Sequence, residues 1–255
     1  MRILILILIW WSGPSWSDDE LELFTESGRA IQSYDRVVKE ISKGSTVLYP
    51  DKSKFTIIER LEGGGTNKIF RARLISTGEF GILRIPVEID ALHFASETLN
   101  GYELLNQEGI RIPELIRGVK GQYVFQKEEP VELTAIDLLE GNLKNSKFSE
   151  AELFQKLVLL FEKTARFRRL DDVTPQNVYF DGVEWGVLDW QGKHALIDGR
   201  RLKTVLDSWL GEKNERAAVK KFWIEAKEAI QKTRAANPHW LEPGCENSFR
   251  NVLEN

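Results

Sequence analysis

The feature that most constrains the fold is a change of hydrophobic pattern near the middle of the chain. Residues 46–126 carry short apolar runs separated by glycines, each of strand length. After Pro130 the apolar residues recur at helical spacing, from 153 to 165 and again from about 200 to 233. This pattern predicts an α+β protein in which a small β-rich part precedes a larger helical part. The predicted strands include 56–58, 68–75, 80–85 and 122–125.

Two short turns predict β-hairpins. Thr77-Gly78 separates the second and third strand runs, and a glycine at the second position suits a two-residue turn. Asp181-Gly182 lies between 178–180 and 185–188, which predicts a second hairpin within the helical part.

Capping signals predict where two helices begin. The first helix is expected from Ala91 to Glu108, with Asp90 as its N-cap and Gly109 as its stop. The second is expected to begin after Ser149, because Ser149 and Glu152 have the spacing of a capping box. The wide apolar stripe of this second helix predicts burial at the centre of the helical part.

The first residues have the pattern of a secretory signal peptide. Arg2 precedes nine apolar residues, 3–11, and the small residues Ser15 and Ser17 follow a Gly-Pro break. We expect cleavage after Ser17, and the apolar run is too short to span about 30 Å of hydrocarbon as a helix. The alternative is a buried N-terminal strand. The signal peptide predicts an exported protein, either periplasmic or secreted.

Composition excludes several kinds of site and partner. The chain has 255 residues, a formal net charge of −4 and a single cysteine, Cys245. One cysteine excludes an intrachain disulfide and a cysteine-based zinc site, and the acidic balance argues against a nucleic-acid partner. We expect a monomer with no stable transmembrane segment. The predicted organisation is a signal peptide (1–17), an N-terminal helical extension (18–45), a β-rich lobe (46–126) and a helical lobe (127–255).

Three consecutive glycines, Gly63, Gly64 and Gly65, lie between the first two predicted strands. Glycines allow the backbone to approach phosphate oxygens closely and to point N–H groups at them. A glycine-rich hairpin turn is the alternative explanation, so the glycines alone do not identify a site.

A single cation, Arg84, lies within the apolar strand run 81–86. Such a cation is costly to bury unless an anionic group meets it. The predicted helix that follows has two carboxylates that could orient Arg84, Glu97 and Glu103, and helical geometry leaves both open. The alternative is an edge-strand arginine that reaches solvent.

Oxygen-bearing side chains follow the long helix. Asp172 and Asn177 share a proline-containing loop, and Asp189 follows the second hairpin, which is expected to bring Asn177 and Asp189 side by side. Mg²⁺ binds few protein oxygens together with substrate phosphates, so these two residues are candidate ligands. Asp172 is placed to accept a hydroxyl proton. The alternative for each residue alone is a turn former or a helix cap.

The order of these features resembles the signature of the protein kinase-like superfamily. The resemblance covers about residues 54–195, and its closest match is 172–178, which resembles the kinase catalytic loop. It implies a two-lobed fold with a hinge near 127–130, and ATP and Mg²⁺ as cofactors. The implied phosphate-binding residues are Gly63, Gly64, Gly65 and Arg84, with Glu97 (or Glu103) orienting the arginine. The resemblance also implies Asn177 and Asp189 as Mg²⁺ ligands and Asp172 as the catalytic base.

Several positions depart from the family pattern. Of the expected loop glycines only Gly64 matches, Arg84 replaces the usual strand lysine, and Asp189-Trp190-Gln191 replaces the Asp-Phe-Gly triplet. An Ala-Pro-Glu element is missing after Asp189. The chain is therefore more similar to minimal bacterial effector-type kinases, or to the aminoglycoside phosphotransferase-like branch, than to regulated kinases.

The resemblance implies a phosphotransferase that acts on a hydroxyl group of a protein Ser/Thr or of a small molecule. The alternative is a pseudokinase, a nucleotide-binding or scaffold module without turnover. For an exported enzyme, delivery into another cell is the route that would give access to ATP.

Overall fold

The computed structural model describes residues 20–61, 65–107, 109–143, 146–165, 170–171, 175–188, 191–192 and 216–237. They form a mixed α+β structure with a large, mostly antiparallel sheet, as the hydrophobic pattern predicts. The predicted signal peptide lies outside the described residues. Among the described residues, no helix is both long enough and apolar enough to cross a membrane.

The main sheet has seven strands, β1 (Glu20–Glu22), β2 (Thr46–Leu48), β3 (Lys54–Leu61), β4 (Asn67–Leu74), β5 (Phe80–Pro86), β6 (Leu115–Val119) and β7 (Tyr123–Gln126). Their order in the sheet is β1-β2-β3-β4-β5-β7-β6. Only the β1–β2 pair among these is parallel. The predicted hairpin between β4 and β5 is confirmed, and its turn holds Gly78 at φ +77°, a left-handed conformation that favours glycine.

The N-terminal segment differs from the helical extension expected over 18–45. Among its described residues, β1 pairs with β2, and the helical part is one short helix, α1 (Tyr34–Glu40). Leu23, Tyr34 and Val38 are almost fully buried and pack in the same core as the main sheet. Their burial is a long-range effect that overrides weak local helix signals.

The chain between β5 and β6 contains the helix α2 (His93–Gln107), as predicted. A 3₁₀ turn at Ile89–Ala91 precedes it, and Gly109 follows it at φ +64°. The prediction of Asp90 as the N-cap is wrong, because Asp90 lies inside the 3₁₀ turn. Glu88 occupies the capping position of that turn, and its side chain makes no capping hydrogen bond.

The later part of the chain contains the helices α3 (Ala135–Glu140), α4 (Glu150–Thr164) and α5 (Ala217–Ala235). Its described strands are β8 (Leu133–Thr134), β9 (Leu170–Asp171), β10 (Val178–Phe180), β11 (Trp185–Val187) and β12 (Gln191–Gly192). The predicted hairpin is confirmed as β10–β11, β8 pairs with β10, and β9 pairs with β12. Ser149 and Glu152 form the predicted capping box of α4, and α5 packs along α4.

The buried apolar side chains form two clusters. The N-terminal core lies between the main sheet and the N-terminal segment, and it includes Leu23, Leu83 and Phe125. The second core joins α3, α4 and α5 to the β10–β11 hairpin. Within it, the rings of Phe154 and Phe222 stack with their centroids 5.1 Å apart. The predicted apolar stripes of α4 and of the described part of the final helical region are therefore buried.

Candidate functional site

Arg84 lies on a buried inner strand of the main sheet. β5 pairs with β4 on one side and with β7 on the other, and Arg84 is only 5% exposed. Its neighbours Leu83 and Ile85 belong to the N-terminal core. Successive side chains of a strand point to opposite faces, so Arg84 leaves the sheet on the face away from that core. The structure excludes the alternative of an edge-strand arginine that reaches solvent.

The strand register places a second polar side chain on the same face. Arg84 lies opposite Ile69 and Val124, and Ile82 lies opposite Gln126. Because Ile82 and Arg84 are two residues apart, Gln126 shares the Arg84 face. Gln126 is 5% exposed, and its Oε1 atom has no hydrogen-bond partner among the described residues. A buried acceptor of this kind can take a hydrogen bond from a bound molecule.

Helix α2 covers this face of the sheet. Gly118 of β6 lies opposite Val124, which in turn lies opposite Arg84. A Cβ at Gly118 would therefore point to the Arg84 face, and it would lie 2.5 Å from Leu99 Cδ2 of α2. The side chains of α2 thus pack on the face that carries Arg84, and a side chain at Gly118 would require Leu99 to shift.

The two candidate carboxylates on α2 have different surroundings. Glu103 is exposed, whereas Glu97 is half-buried and its Oε2 atom is shielded from solvent. The Nη1 atom of Arg84 is also shielded, and neither Arg84 nor Glu97 lacks an interacting group. Electrostatic attraction is stronger away from water, so this layer can hold opposite charges and a bound anion more firmly than the surface can. Of the two, Glu97 is therefore the better candidate for the carboxylate that orients Arg84, and this pairing stays a prediction.

A small ladder brings part of the predicted catalytic region to α2. β9 pairs with β12, with Asp171 opposite Gln191. α2 packs against β12 as well as against β5. One helix therefore contacts both the strand that bears Arg84 and the strand that follows Asp189 in the sequence.

Asn177 lies at the start of the β10–β11 hairpin. Its backbone carbonyl accepts a hydrogen bond from the Leu188 amide at 2.8 Å, which extends the pairing of Val178 with Val187. The hairpin thus places Asn177 opposite the residue that precedes Asp189. The expected proximity of the Asn177 and Asp189 side chains stays a prediction.

Four of the predicted site residues lie outside the described residues, namely Gly63, Gly64, Asp172 and Asp189. Gly65 is exposed, and a Cβ at this position would have no atom within 4 Å apart from its immediate neighbours. Steric crowding by neighbouring atoms is therefore not the reason for glycine at position 65. The next residue is anchored, because the Val87 amide donates a hydrogen bond to the Thr66 carbonyl at 3.0 Å.

Ion pairs hold the segment 127–130, the hinge that the resemblance implies. Arg71 Nε donates to Glu128 Oε2 at 2.8 Å, and Arg111 Nη2 donates to Glu129 Oε2 at 2.8 Å. The hydrogen bond from Arg71 holds the pKa of the Glu128 carboxyl below its usual value. The sequence did not predict these pairs, because they depend on which loops and strands become neighbours. They restrain the segment that follows Gln126.

Gln126 was also not predicted, although a sequence signal was present. It is the polar residue that follows the apolar residues 123–125, next to the segment expected to be the hinge. Its position on the Arg84 face depends on the pairing of β5 with β7, which the sequence does not reveal.

Comparison with known proteins identifies no family for this chain. No protein-family model matches the chain, and neither does any curated protein. Within the described ranges, no group of three or more His, Cys, Asp or Glu side chains could hold a metal ion. The described site consists of a buried arginine, a carboxylate on the covering helix and an amide acceptor on the adjacent strand.

Proposed function

We propose that the protein is an ATP- and Mg²⁺-dependent phosphotransferase with a two-lobed, protein kinase-like fold. Its acceptor is a hydroxyl group of a protein Ser/Thr or of a small molecule. The observation that carries this proposal is the packing of α2 against both β5 and β12. Through that packing, the strand of Arg84 and the ladder that adjoins Asp172 and Asp189 in the sequence contact the same helix.

The β9–β12 ladder adjoins both predicted aspartates in the sequence. Asp172 directly follows Asp171, Asp189 precedes Gln191 by two residues, and Asp171 pairs with Gln191. This adjacency supports the proposal that both carboxylates act on one substrate.

The chemistry of the available groups fits a nucleotide. Phosphoryl transfer depends mainly on positioning and on neutralising charge, and a buried guanidinium such as that of Arg84 can hold two phosphate oxygens in its planar fork. The Gln126 Oε1 atom is an acceptor suited to the amino group of a nucleobase. The amide oxygen of Asn177 and the carboxylate of Asp189 are hard ligands of the kind that suit Mg²⁺, which would neutralise phosphate charge when bound.

A second candidate function is a pseudokinase that binds nucleotide without turnover. The departures from the family pattern favour it: only Gly64 matches the glycine pattern, and Arg84 replaces the usual strand lysine. In this alternative the fold would serve as a nucleotide-binding or scaffold module.

Nucleotide-dependent stabilisation combined with a turnover assay separates these possibilities. The purified chain is heated with ATP alone, with Mg²⁺ alone and with both, and labelled ATP is then supplied with protein and small-molecule acceptors. Ligand that binds the native state raises stability by RT ln(1 + [L]/Kd). An enzyme shows both the shift and transfer, whereas a pseudokinase shows the shift without transfer. No shift with ATP and Mg²⁺ together would contradict both.

A further inference from the structure

Helix α1 contacts the end of β5 and the 3₁₀ turn that connects β5 with α2. Tyr34 is fully buried, and its hydroxyl donates a hydrogen bond to the carbonyl of Pro86, the last residue of β5, at 2.9 Å. Asp35 Oδ1 accepts a hydrogen bond from the amide of Ile89, the first residue of the 3₁₀ turn, at 3.0 Å. α1 therefore holds the end of the arginine strand and the start of the helical segment that leads to Glu97.

The bond from Ile89 to Asp35 takes the place of a local helix cap. The first N–H groups of a helical segment have no partner within the helix. Glu88, at the capping position, makes no side-chain capping bond, so a carboxylate from a different element satisfies the amide of Ile89. The start of the segment that leads into α2 thus depends on α1.

The same connection also holds the end of the glycine-rich segment. The Val87 amide donates to the Thr66 carbonyl at 3.0 Å, and Pro86 pairs with Asn67 in the β4–β5 register. The residues that follow Gly65, the end of β5 and the start of the α2 segment therefore meet at residues 86–89. A displacement of this connection would therefore move all three segments.

Helix α1 is itself firmly held. The Tyr34 ring packs edge-on against Phe24 with the centroids 5.5 Å apart, and Val38 and Ile41 are buried in the N-terminal core. Burial, assisted by the neighbouring Asp35, raises the pKa of the Tyr34 hydroxyl, so this group remains a hydrogen-bond donor at neutral pH. A rigid α1 can fix the connection that it contacts.

We infer that α1 is a positioning element that sets the place of α2 relative to β5 through Tyr34 and Asp35. On the basis of the proposed function, it thereby controls how Glu97 and Arg84 receive nucleotide and sets the affinity for MgATP. Tyr34 and Asp35 are positioning residues, since they contact the connection rather than the bound nucleotide. Loss of these contacts frees α2 while the rest of the sheet keeps its pairing.

The test compares Asp35→Ala and Tyr34→Phe in the purified chain. Glu40→Ala is the matched control, because Glu40 is an exposed carboxylate at the other end of α1. Hydrogen–deuterium exchange of residues 86–107 without ligand reports on α2, and MgATP titration reports on affinity. Loss of a cap of this kind is expected to raise both the exchange rate at the start of the segment and the Kd for MgATP about fivefold. Asp35→Asn, which keeps an acceptor oxygen, is expected to restore both values.

The two readouts distinguish failure of this inference from failure of the proposed function. If Asp35→Ala and Tyr34→Phe match Glu40→Ala in both exchange and Kd, the positioning role is wrong. If exchange rises in α2 but the unaltered chain binds no MgATP, the positioning role stands and the nucleotide function is wrong. If exchange rises equally throughout the main sheet, α1 supports the whole fold and the specific role is overturned. Tyr34→Phe retains the aromatic ring and so provides the milder variant should Asp35→Ala unfold.

Discussion

The backbone carbonyl of Asn177 accepts a hydrogen bond from the amide of Leu188 at 2.8 Å. This bond continues the β10–β11 ladder by one pair beyond Val178 and Val187. Asn177 is therefore held at a fixed point beside the chain that leads to Asp189. An amide oxygen such as that of Asn177 suits the few protein oxygens that Mg²⁺ uses when most of its other ligands are phosphates and water.

The first prediction concerns Mg²⁺. Asp189→Asn removes a charged ligand, so we expect nucleotide affinity to lose its dependence on Mg²⁺, and Asn177→Ala to weaken that dependence. Isothermal titration with ATP in the presence and absence of Mg²⁺ measures the effect. The control is Asn142→Ala, an exposed asparagine in a different loop. Retention of the full Mg²⁺ effect in Asp189→Asn would exclude Asp189 as a ligand.

The second prediction concerns the buried cation. Arg84→Lys replaces a planar fork by a point charge, and we expect it to weaken MgATP binding by about 1–3 kcal/mol, with a larger loss in Arg84→Ala. Nucleotide Kd and turnover are the measurements, with the exposed Arg36→Lys as the control. An Arg84→Lys protein that gains activity would show Arg84 to be a degenerate lysine and would favour the pseudokinase. Equal affinity in all variants would require the nucleotide assignment to be dropped.

The third prediction uses the contrast between two glutamates on α2. Glu97 has a solvent-shielded carboxylate oxygen, whereas Glu103 is exposed. We expect Glu97→Gln to raise the Kd for MgATP about tenfold, the effect of weakening one hydrogen bond to a charged group. Glu103→Gln is the matched control and is expected to bind as the unaltered chain does. The reverse ranking would place α2 in a different orientation relative to Arg84.

The fourth prediction concerns stability in acid. Asp51 Oδ2 accepts hydrogen bonds from Ser53 Oγ at 2.8 Å, Tyr123 Oη at 2.9 Å and Arg117 Nε at 3.0 Å. Burial alone would raise the pKa of the Asp51 carboxyl, but these bonds outweigh it and hold the pKa below its usual 3.8. The native state therefore binds this proton less readily than the unfolded chain does. The stabilisation is complete above the unfolded pKa and is lost as the pH falls through the folded pKa.

Urea unfolding at pH 6, 5, 4 and 3 tests this sign. Asp51→Asn is expected to be less stable than the unaltered chain at pH 6, and the difference is expected to shrink towards pH 3 because the unfolded chain takes up the Asp51 proton more readily than the native state does. A difference that stays constant across this range would show that the charge of Asp51 contributes nothing.

Local sequence signals predicted correctly those elements in which the local preference and the tertiary packing favour the same structure. Thr77-Gly78 predicted the β4–β5 turn, and the Ser149–Glu152 box predicted the start of α4. β1 was missed, and the helix expected over 18–45 is only α1, because Leu23, Tyr34 and Val38 show no regular period and contacts with distant strands bury them. Strand β6 was also missed, since its residues are mostly half-buried and its pairing with β7 shifts between Leu115 and Arg117.

From the sequence alone, a residue of the candidate site could be predicted only where its charge contrasts with apolar neighbours. Arg84 is a charge within an apolar strand, so the sequence alone marked it. The choice between Glu97 and Glu103 depends on how α2 is rotated against the sheet, and the packing of α2 on the sheet, as at Leu99 and Gly118, joins residues distant in sequence. Gln126 became a candidate only once the register of β5 with β7 was known.

The most direct test of the proposed activity is transfer of labelled phosphate from ATP. The purified chain and Asp172→Ala are incubated under identical conditions with Mg²⁺ and hydroxyl acceptors, and product is followed with time. The phosphotransferase account predicts Mg²⁺-dependent transfer by the unaltered chain and a loss of at least about a hundredfold in Asp172→Ala, since a positioned general base contributes on the order of 10²–10⁴-fold. Transfer at the same rate by both proteins, or by neither, would contradict it.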